Sequence, residues 1–301
     1  MVEPVDVLRL SVPSKSFFLG EYLALVGGPA LLAATLPRFE LRLRPGSGVF
    51  RGVDPASPAG RLIAANIGAF GCLDLEFFDP HAGAGGWGAS AAQFLMCYAA
   101  LERIGANRAH QRAPRIDIGR LLSAYVGLAW DGHGYPPSGA DIVAQLEGTI
   151  VEFAKADGVT RTHVWPFDDL EFFFLPTGNK VATHEHLRDL GRLDSTAFSA
   201  HAHSACAALS SRDSRRFVEA MCGYADELER QALVHPDTLA LLQRLDALPG
   251  VLACKGCGAL GADVVVAIVR SDSAQSIASA IAREIAAPVG RAQLCGGLAI
   301  A

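Results

Sequence analysis

The sequence carries little charge, and that charge includes no dense basic stretch. Only 19% of the 301 residues are Asp, Glu, Lys or Arg, and the formal net charge is −5. Proteins whose main partner is nucleic acid concentrate Lys and Arg in a patch or stripe. The most basic stretches here, residues 103–120 and 212–216, are dilute by comparison. The sequence therefore predicts no nucleic-acid partner.

Long apolar runs and a leader-like beginning are also missing. No uncharged apolar run approaches the roughly 18 to 20 residues that a membrane-spanning helix needs. Residues 1–6 lack the basic segment followed by an apolar segment that is typical of a secretory signal. We therefore expect a cytoplasmic protein without a membrane partner.

The cysteines form no recognisable framework. There are seven, an odd number scattered along the chain, which favours reduced, mostly buried thiols over disulfides. Cys254 and Cys257 form a C-x-x-C pair of the kind used for zinc or redox chemistry, but a second pair at metal spacing is missing. His201 and His203, near Cys206, are also ligand types, but two imidazoles two residues apart on a helix lie on different faces. Buried thiols and ordinary histidines are the favoured interpretation.

The sequence does contain enough apolar residues for two domain cores. Half of the residues are apolar, and the length suits about two domains of ordinary size. We place the domains at residues 1–160 and 161–301, with the polar stretch 154–161 as the crossing between them. Because strand and helix patterns are mixed along the chain, the expected fold class is α+β.

Hydrophobic periodicity and breaker residues predict most of the elements. In the first half they predict strands at 7–12, 16–19, 30–35, 39–43 and 149–153, and a hairpin or loop excursion at 44–62. In the second half they predict strands at 170–175, 251–254, 264–269 and 297–301. Helices are predicted at 90–104, 116–130, 195–209, 215–233, 236–248 and 274–285, with another beginning near 142.

Residues 83–92, Gly-Ala-Gly-Gly-Trp-Gly-Ala-Ser-Ala-Ala, form a glycine-rich loop that opens onto a predicted helix. Glycine lets the backbone take a positive φ and approach a ligand closely. The first N–H groups of a helix are unpaired, and the helix dipole favours an anion such as phosphate beside them. A plain strand-to-helix turn uses the same residues, so this stretch alone leaves both interpretations open.

Three stretches, in this order, resemble the motifs of the GHMP kinases, which include galactokinase, homoserine kinase, mevalonate kinase and phosphomevalonate kinase. Pro-Ser-Lys at 13–15 with Leu-Gly-Glu-Tyr at 19–22 is similar to the first motif, Pro-Gly-Lys followed by Gly-Glu-His or Gly-Glu-Tyr. Residues 86–92 resemble the phosphate loop, Gly-Leu-Gly-Ser-Ser-Ala-Ala. Residues 255–263 resemble the third motif, Lys-x-Ser-Gly-Ala-Gly-Gly-Gly. The resemblance spans nearly the whole chain.

Other stretches point to two branches of that superfamily. Pro-Ser-Gly-Ala-Asp at 137–141 resembles the Pro-Ser-Gly-x-Asp of mevalonate kinases. Gly-Glu-Tyr at 20–22, and the aspartate that closes the third motif, look more like phosphomevalonate kinases. Residues 176–183 are similar to a Thr-Gly and Ser-Thr stretch found in both.

The resemblance implies a fold and an activity. The expected fold has two domains, an N-terminal one like domain 2 of ribosomal protein S5 and a C-terminal ferredoxin-like α/β sandwich. The expected activity is transfer of the γ-phosphate of ATP to a hydroxyl of mevalonate or a close relative, a step of isoprenoid precursor synthesis, with Mg²⁺ as the metal. The expected partners are ATP and a small-molecule substrate, and a homodimer is left open.

The resemblance also implies roles for individual residues. Asp141 would accept the proton of the substrate hydroxyl, and Lys15 would keep Asp141 ionised and polarise that hydroxyl. The implied ATP-binding residues are Gly85, Gly86, Gly88, Ala89, Ser90 and Ala91, of which Ser90 would also bind Mg²⁺. Substrate contacts are expected from Glu21, His133, Ser138, Gly139, Thr183, Gly258 and Ala259.

The sequence departs from the family pattern at several positions. Ser14 replaces a glycine of the first motif, Ala89 replaces the first serine of the phosphate loop, and Leu260 and Ala262 replace glycines of the third motif. These substitutions add side chains where backbone normally approaches phosphate.

A second departure concerns the metal. Mevalonate kinases carry a glutamate eleven residues before the catalytic aspartate as a second Mg²⁺ ligand, and Trp130 stands at that position here. Its neighbour Asp131 is the candidate that could substitute.

Two alternatives to a mevalonate kinase follow. The altered glycine motifs suit a non-catalytic GHMP-fold protein that binds a small molecule or partner. A phosphomevalonate kinase would need extra basic residues near the phosphate of its acceptor, and residues 131–138 offer His133 but no Lys or Arg. The sequence therefore favours a neutral-tailed or carboxylate acceptor such as mevalonate.

Overall fold

The computed structural model describes residues 8–108, 115–178, 190, 193–284 and 287–301. The strands of this part of the chain are β1 (Leu8–Leu19), β2 (Ala30–Pro45), β3 (Phe50–Arg51), β4 (Leu73–Phe78), β5 (Ile150–Ala154), β6 (Val159–His163), β7 (Leu170–Pro176), β8 (Val251–Cys257), β9 (Val264–Arg270), β10 (Val289–Gly290) and β11 (Ala299–Ile300). Its α-helices are α1 (Pro58–Ala65), α2 (Ile67–Phe70), α3 (Ala89–Arg108), α4 (Ile118–Ala129), α5 (Ala140–Glu147), α6 (Ser195–Ser211), α7 (Ser214–Arg230), α8 (Pro236–Asp246) and α9 (Ala274–Glu284).

The strands form two sheets, and helices alternate with the strands along the chain, which confirms the expected α+β class. The first sheet has the order β11-β1-β2-β4-β3, and the hairpin of β5 and β6 joins it through β2. The second sheet has the order β10-β7-β9-β8. Neighbouring strands are antiparallel except for β3 and β4.

Two predicted breaks in the first sheet are wrong, because β1 and β2 are long strands that continue through their prolines. The register of β1 on β2 shifts between Pro13 and Ser14, so that Pro13 lies opposite Arg38 and Ser14 lies opposite Thr35. Proline cannot donate to a strand ladder, and such irregularities are where sheets accommodate it. The bulge therefore keeps Lys15 on a continuous strand.

For the stretch 44–62 the sequence predicts a hairpin or loop excursion, whereas the structure has β3 and the start of α1 there. The Ser57 side chain accepts a hydrogen bond from the Gly60 amide at 3.1 Å, and Pro58 occupies the first helical turn. Serine caps and first-turn prolines both favour helix initiation. The breaker residues of this stretch thus begin a helix.

The polar stretch proposed as the domain crossing lies within the first sheet. Strands β5 and β6 pair from Ile150 opposite His163 to Ala154 opposite Val159, and the residues between them form the hairpin turn. The chain enters the second sheet with β7, and its last strand, β11, returns to pair with β1. The division of the chain into domains at residue 160 stays a prediction, although β6 straddles it.

One aromatic cluster joins the two sheets. The ring of Phe18, on β1, lies 5.0 Å from Phe172 and 5.3 Å from Phe174 on β7, and 6.1 Å from Phe217 on α7. Aromatic pairs at such distances add to the free energy gained by burying apolar surface. Because Phe18 belongs to the same strand as Lys15, this cluster sets the position of Lys15 relative to the second sheet. No helix within the described ranges is long and apolar enough to span a bilayer.

Candidate active site

The glycine-rich loop ends at the beginning of α3. Gly86 and Gly88 have φ values of +82° and +88°. A Cβ on Gly88 would lie 2.9 Å from both Gln145 Nε2 and Lys15 Cε, so only glycine fits there. The carbonyl of Gly88 accepts the first helical hydrogen bond, from Ala92 at 2.9 Å. The amides of residues 89–91 therefore face the loop as the unpaired donors that an anion requires.

Lys15 lies directly against this loop. Its side chain is 8% exposed. Its backbone amide donates to the Trp87 carbonyl at 3.0 Å, and its ammonium donates to the Gly86 carbonyl at 3.3 Å. This arrangement places a positive charge beside the glycine-rich loop. Among the residues that the structure describes, Lys15 and Asp141 do not form an ion pair.

Asp141 occupies the first turn of α5. Gly139 caps this helix with a φ of +76°, and a Cβ there would overlap the side chain of Leu122. The Ser138 hydroxyl accepts a hydrogen bond from the Ala140 amide at 3.3 Å. Ser138 and Gly139 thus shape the turn that presents the Asp141 carboxylate. Burial, and to a smaller extent this carboxylate, raise the pKa of the Tyr125 phenol on α4 above its usual value.

Gln145 connects these three parts, and it was not singled out from the sequence. Its side chain is fully buried, and Nε2 donates to the carbonyls of Pro13 at 3.0 Å and Gly88 at 3.2 Å. It lies one helical turn after Asp141. The helix of Asp141 is therefore tied both to the strand of Lys15 and to the phosphate loop. A polar residue among the apolar residues 142–146 was the available signal.

The third motif closes against the glycine-rich loop from the second sheet. A Cβ on Gly85 would overlap the Asp263 carboxylate, and one on Gly86 would lie 2.6 Å from Val264 Cγ2. Asp263 Oδ2 would lie 3.5 Å from a Cβ on Gly258, and Ala259 begins a short 3-10 helix at residues 259–261. Gly258 and Ala259 thus lie near the glycine-rich loop, beside Asp263. The sequence did not indicate that Asp263 lies close to this loop.

Leu260, which stands where the resemblance implies a glycine, has a backbone conformation that glycine favours. Leu260 has a φ of +51°, in the left-handed region where a side chain is unfavourable. Its amide donates to the Tyr22 hydroxyl at 3.0 Å, and its carbonyl accepts from the His235 amide at 2.8 Å. Contacts on both sides hold this residue in place.

Glu21 pairs with the lysine of the third motif. Glu21 Oε1 lies 2.8 Å from Lys255 Nζ, and both side chains are buried. Burial disfavours the ammonium, but the Cys257 sulfur and the Glu21 carboxylate outweigh it and raise the pKa of Lys255 above its usual value. The expected contact between Glu21 and the substrate stays a prediction. One carboxylate oxygen of Glu21 is already paired with Lys255.

The C-x-x-C pair consists of protonated, buried thiols. Burial raises the pKa of Cys257 to about 11, and it also raises that of Cys254. The Cys257 thiol donates to the Phe17 carbonyl at 3.0 Å. All seven cysteines lie in the described ranges, and all are free.

The predicted metal ligands are accessible. Ser90 is exposed in the first turn of α3, and Asp131 and His133 have side chains that are 50% and 77% exposed. Asp131 Oδ1 accepts a hydrogen bond from the His133 amide at 3.0 Å. Within the ranges that the structure covers, no three His, Cys, Asp or Glu side chains form a metal cluster. Hydroxyl and carboxylate oxygens are nevertheless donors that suit Mg²⁺, which binds few protein ligands and relies on phosphates for the rest.

The last predicted contact is only partly described. Thr177, after β7, donates from its backbone amide to the Asp263 carbonyl at 3.1 Å, and its hydroxyl donates to the Ala262 carbonyl. This segment therefore reaches the third motif. Thr183 lies outside the described residues.

Comparison with known proteins supports the fold. Neither a family model nor a curated protein matches the sequence. Among solved structures, galactokinase of Lactococcus lactis in complex with galactose has a TM-score of 0.75 at 14% identity, covering 98% of this chain and 95% of that chain. Mevalonate kinase of L. major in complex with R-mevalonate has a TM-score of 0.69 at 18% identity, covering 93% and 94%.

A third similar structure contains a nucleotide analogue. Streptococcus pneumoniae phosphomevalonate kinase in complex with phosphomevalonate and AMPPNP has a TM-score of 0.68 at 14% identity, covering 91% of this chain and 96% of that chain. At such identities a likeness over nearly the whole length establishes architecture. The chain has the fold of the GHMP kinases.

Proposed function

We propose that this protein is an ATP-dependent kinase that transfers the γ-phosphate to a hydroxyl of mevalonate or a close relative. One observation carries the proposal: the helix of Asp141, the strand of Lys15 and the phosphate loop meet, and Gln145 hydrogen-bonds to the last two. A base, a cation and a set of unpaired amides are the groups that phosphoryl transfer requires. The similar structures are kinases, one of them in complex with AMPPNP, and this supports the proposal of an ATP-dependent kinase.

The residues would divide the reaction as follows. The amides at the start of α3 bind the phosphates, and Lys15, with its ammonium at the Gly86 carbonyl, offsets charge on the transferring group. The acceptor oxygen bonds to the γ-phosphorus as the bond to the bridging oxygen of ADP breaks. The proton of the hydroxyl passes to the Asp141 carboxylate. Mg²⁺, held by Ser90 with Asp131 or Asp263, would neutralise phosphate charge.

Two features support a mevalonate-like acceptor. The turn at 137–141 that presents Asp141 has the Pro-Ser-Gly-x-Asp pattern, and one similar structure is a mevalonate kinase bound to R-mevalonate. The segment 131–138 carries no Lys or Arg that would bind a phosphorylated acceptor. The phosphomevalonate alternative therefore needs a basic group from another part of the molecule.

One observation favours a second candidate, a non-catalytic binding protein. The Asp263 carboxylate packs against Gly85, where it would repel phosphate unless a cation lies between them. Under this alternative the fold would bind a small molecule without efficient phosphoryl transfer.

The test is ATP-dependent phosphorylation of mevalonate, 5-phosphomevalonate, homoserine and galactose by the purified chain. We expect turnover of mevalonate. Asp141→Asn should lower kcat by about 10²- to 10⁴-fold, the usual contribution of a general base. Lys15→Met should lower kcat/KM by about 10²-fold or more, because it removes charge at the transferring phosphate.

Calorimetric titration with ATP and Mg²⁺ separates the alternatives. Turnover of 5-phosphomevalonate alone would identify the phosphomevalonate kinase. ATP binding without turnover of any acceptor would indicate a nucleotide-binding protein and would contradict the proposal that mevalonate is the acceptor. An absence of both binding and turnover would refute the kinase and leave the second candidate.

A further inference from the structure

A histidine that the proposed reaction does not use lies between the first motif and the phosphate loop. His81 follows β4, and its Nε2 lies 2.6 Å from the Ser14 hydroxyl oxygen. Its ring stacks on that of Trp87, with centroids 4.8 Å apart and planes 4° apart. Ser14 directly precedes Lys15, and Trp87 lies between the two positive-φ glycines of the loop. His81 therefore contacts both parts of the phosphate-binding machinery.

The hydrogen bonds assign the proton of this pair. The Ser14 hydroxyl donates to the Pro37 carbonyl at 2.7 Å, so its oxygen is the acceptor towards His81. His81 must then donate from Nε2. Burial lowers the pKa of His81, which favours the neutral ring with that single N–H. Ser14 itself is fully buried, so the loss of its donor would not be replaced by solvent.

The backbone fixes the position of the imidazole. Asp79, just after β4, accepts the His81 amide on Oδ1 at 2.8 Å and the Gly83 amide on Oδ2 at 3.0 Å. One carboxylate thus closes the turn on both sides of His81. This turn holds the backbone of His81, while Ser14 contacts the edge of its ring and Trp87 stacks on its face.

Trp87, on which His81 stacks, is connected through the backbone to Lys15. Trp87 is buried, and its carbonyl accepts the Lys15 amide at 3.0 Å, while the Lys15 ammonium donates to the carbonyl of the preceding residue, Gly86. A shift of the backbone at residue 87 would therefore disturb both of these contacts to Lys15. The conformation of residues 85–88 consequently depends on what the ring packs against.

We infer that His81 is a positioning residue that sets the phosphate-binding conformation of the loop through its hydrogen bond to Ser14 and its stack on Trp87. The inference rests on the proposed function for its kinetic consequences. It also explains two features of the sequence, because Ser14 and Trp87 stand where the family motifs have glycine and leucine. In this chain a serine, a histidine and a tryptophan support the loop together.

Two substitutions separate the two contacts. His81→Phe keeps an aromatic ring for Trp87 but removes the donor to Ser14, and His81→Gln keeps a donor near the position of Nε2. We expect His81→Phe to raise the KM for ATP about tenfold, equivalent to about 1.4 kcal/mol, with kcat changed less than threefold. His81→Gln should recover more than half of that loss on a logarithmic scale. The effect of His81→Phe should largely disappear in a Ser14→Ala background, because coupled residues are not additive.

A matched control and a readout without turnover complete the test. His203→Phe alters another histidine paired with a serine, Ser199 at 3.2 Å, on the exposed face of α6, and it should leave the KM for ATP unchanged. Hydrogen exchange of the ligand-free protein should show faster exchange at residues 82–91 in His81→Phe only. This measurement decides the inference even if no acceptor is phosphorylated and the proposed function fails.

The contrary results are specific. Unchanged exchange at residues 82–91 in His81→Phe would overturn the inference. The inference would also be overturned if the free-energy equivalent of the rise in KM equalled the loss of unfolding free energy in urea. It would equally be overturned if His81→Gln showed the same rise in KM as His81→Phe.

Discussion

Gln145 is a side chain whose two hydrogen bonds reach distant backbone groups. Pro13 and Gly88 stand 132 and 57 residues before it in the chain, and the amide contacts both carbonyls in a fully buried position. A buried carbonyl that loses its donor costs more than an exposed one, since water cannot replace the donor. The position of the loop relative to Asp141 therefore depends on this one amide.

We expect Gln145→Leu to weaken ATP binding and to lower the free energy of unfolding by about 1 to 3 kcal/mol. Urea unfolding and calorimetric titration with ATP would measure the two effects. The matched control is Gln93→Leu on α3, which loses a bond of 2.8 Å to the Gly52 carbonyl in an exposed setting. Equal losses in both variants would contradict the role assigned to Gln145.

Helix α5 carries Asp141 at one end and is closed by the C-terminal segment at the other. Gly148, its C-cap, has a φ of +81°, and a Cβ there would overlap the backbone of Gly297. The Leu298 amide donates to the Leu146 carbonyl at 3.1 Å, and Arg38 donates to the carbonyls of both Gly296, at 2.7 Å, and Gly297, at 2.6 Å. Close backbone packing thus fixes the C-terminal end of the helix that carries Asp141.

Gly148→Ala should lower the free energy of unfolding by about 3 kcal/mol or more, because left-handed strain and overpacking add. The control is Gly127→Ala on α4, where a Cβ would meet nothing within 4 Å. That change should stabilise the protein by about 0.5 to 1 kcal/mol, the helix preference of alanine over glycine. Urea denaturation of both variants would test the pair, and a mild effect of Gly148→Ala would refute the tight contact.

The hairpin of β5 and β6 contains a pH-sensitive pair. Glu152 Oε2 lies 2.9 Å from His163 Nε2, and this hydrogen bond, reinforced by Arg161 and opposed by burial, holds the pKa of Glu152 below its usual value of 4.5. A carboxylate with a depressed pKa stabilises the folded state above its unfolded pKa. That stability is lost as the pH falls through the folded value.

We expect the difference in unfolding free energy between the wild type and Glu152→Gln to be present at pH 6 and to shrink below pH 4.5. Urea unfolding at pH 6, 5, 4 and 3.5 would measure it. His163→Phe removes the partner and should abolish most of the same pH dependence. A difference that stays constant across this range would show that the hydrogen bond does not shift the titration.

Across the whole molecule, the two sheets meet at buried polar as well as aromatic contacts. The ion pair of Glu21 and Lys255 joins the link after β1 to β8, with Lys255 only 1% exposed. Within the described part of the chain, Glu21 Oε2 has no hydrogen-bond partner. A pair of this kind contributes little net stability, but it is costly to break because it leaves a buried charge alone.

Lys255→Met should therefore lower the free energy of unfolding by about 3 to 5 kcal/mol. The double variant Glu21→Gln with Lys255→Met should regain most of this loss, since no unpaired charge remains. Arg215→Met is the control, because its pair with Glu219 is exposed, and it should cost less than about 1 kcal/mol. Urea unfolding of the four proteins would decide, and a double variant no better than Lys255→Met would contradict the explanation.

Local chemistry was sufficient to predict most of the helices. Helix α3 begins at Ala89 and α5 at Ala140, each directly after a positive-φ glycine. Such starts depend on residues within a few positions, so spacing and glycine content revealed them. Lys15 and Asp141 were found in the same way, from short motifs whose order resembled a family.

Tertiary packing decided the rest. The strands β1 and β2 continue through their prolines because each is paired with a neighbouring strand that accommodates the irregularity. The presence of proline in the sequence predicted a break there, because the pairing partner is not visible in the sequence. His81 reaches Ser14, 67 residues away, and Asp263 reaches Gly85 from the other sheet. The sequence determined the short segments that we propose bind phosphate and transfer protons. Only the packing of the two sheets decided which distant side chains hold those segments together, because such contacts depend on the whole core and not on neighbouring residues.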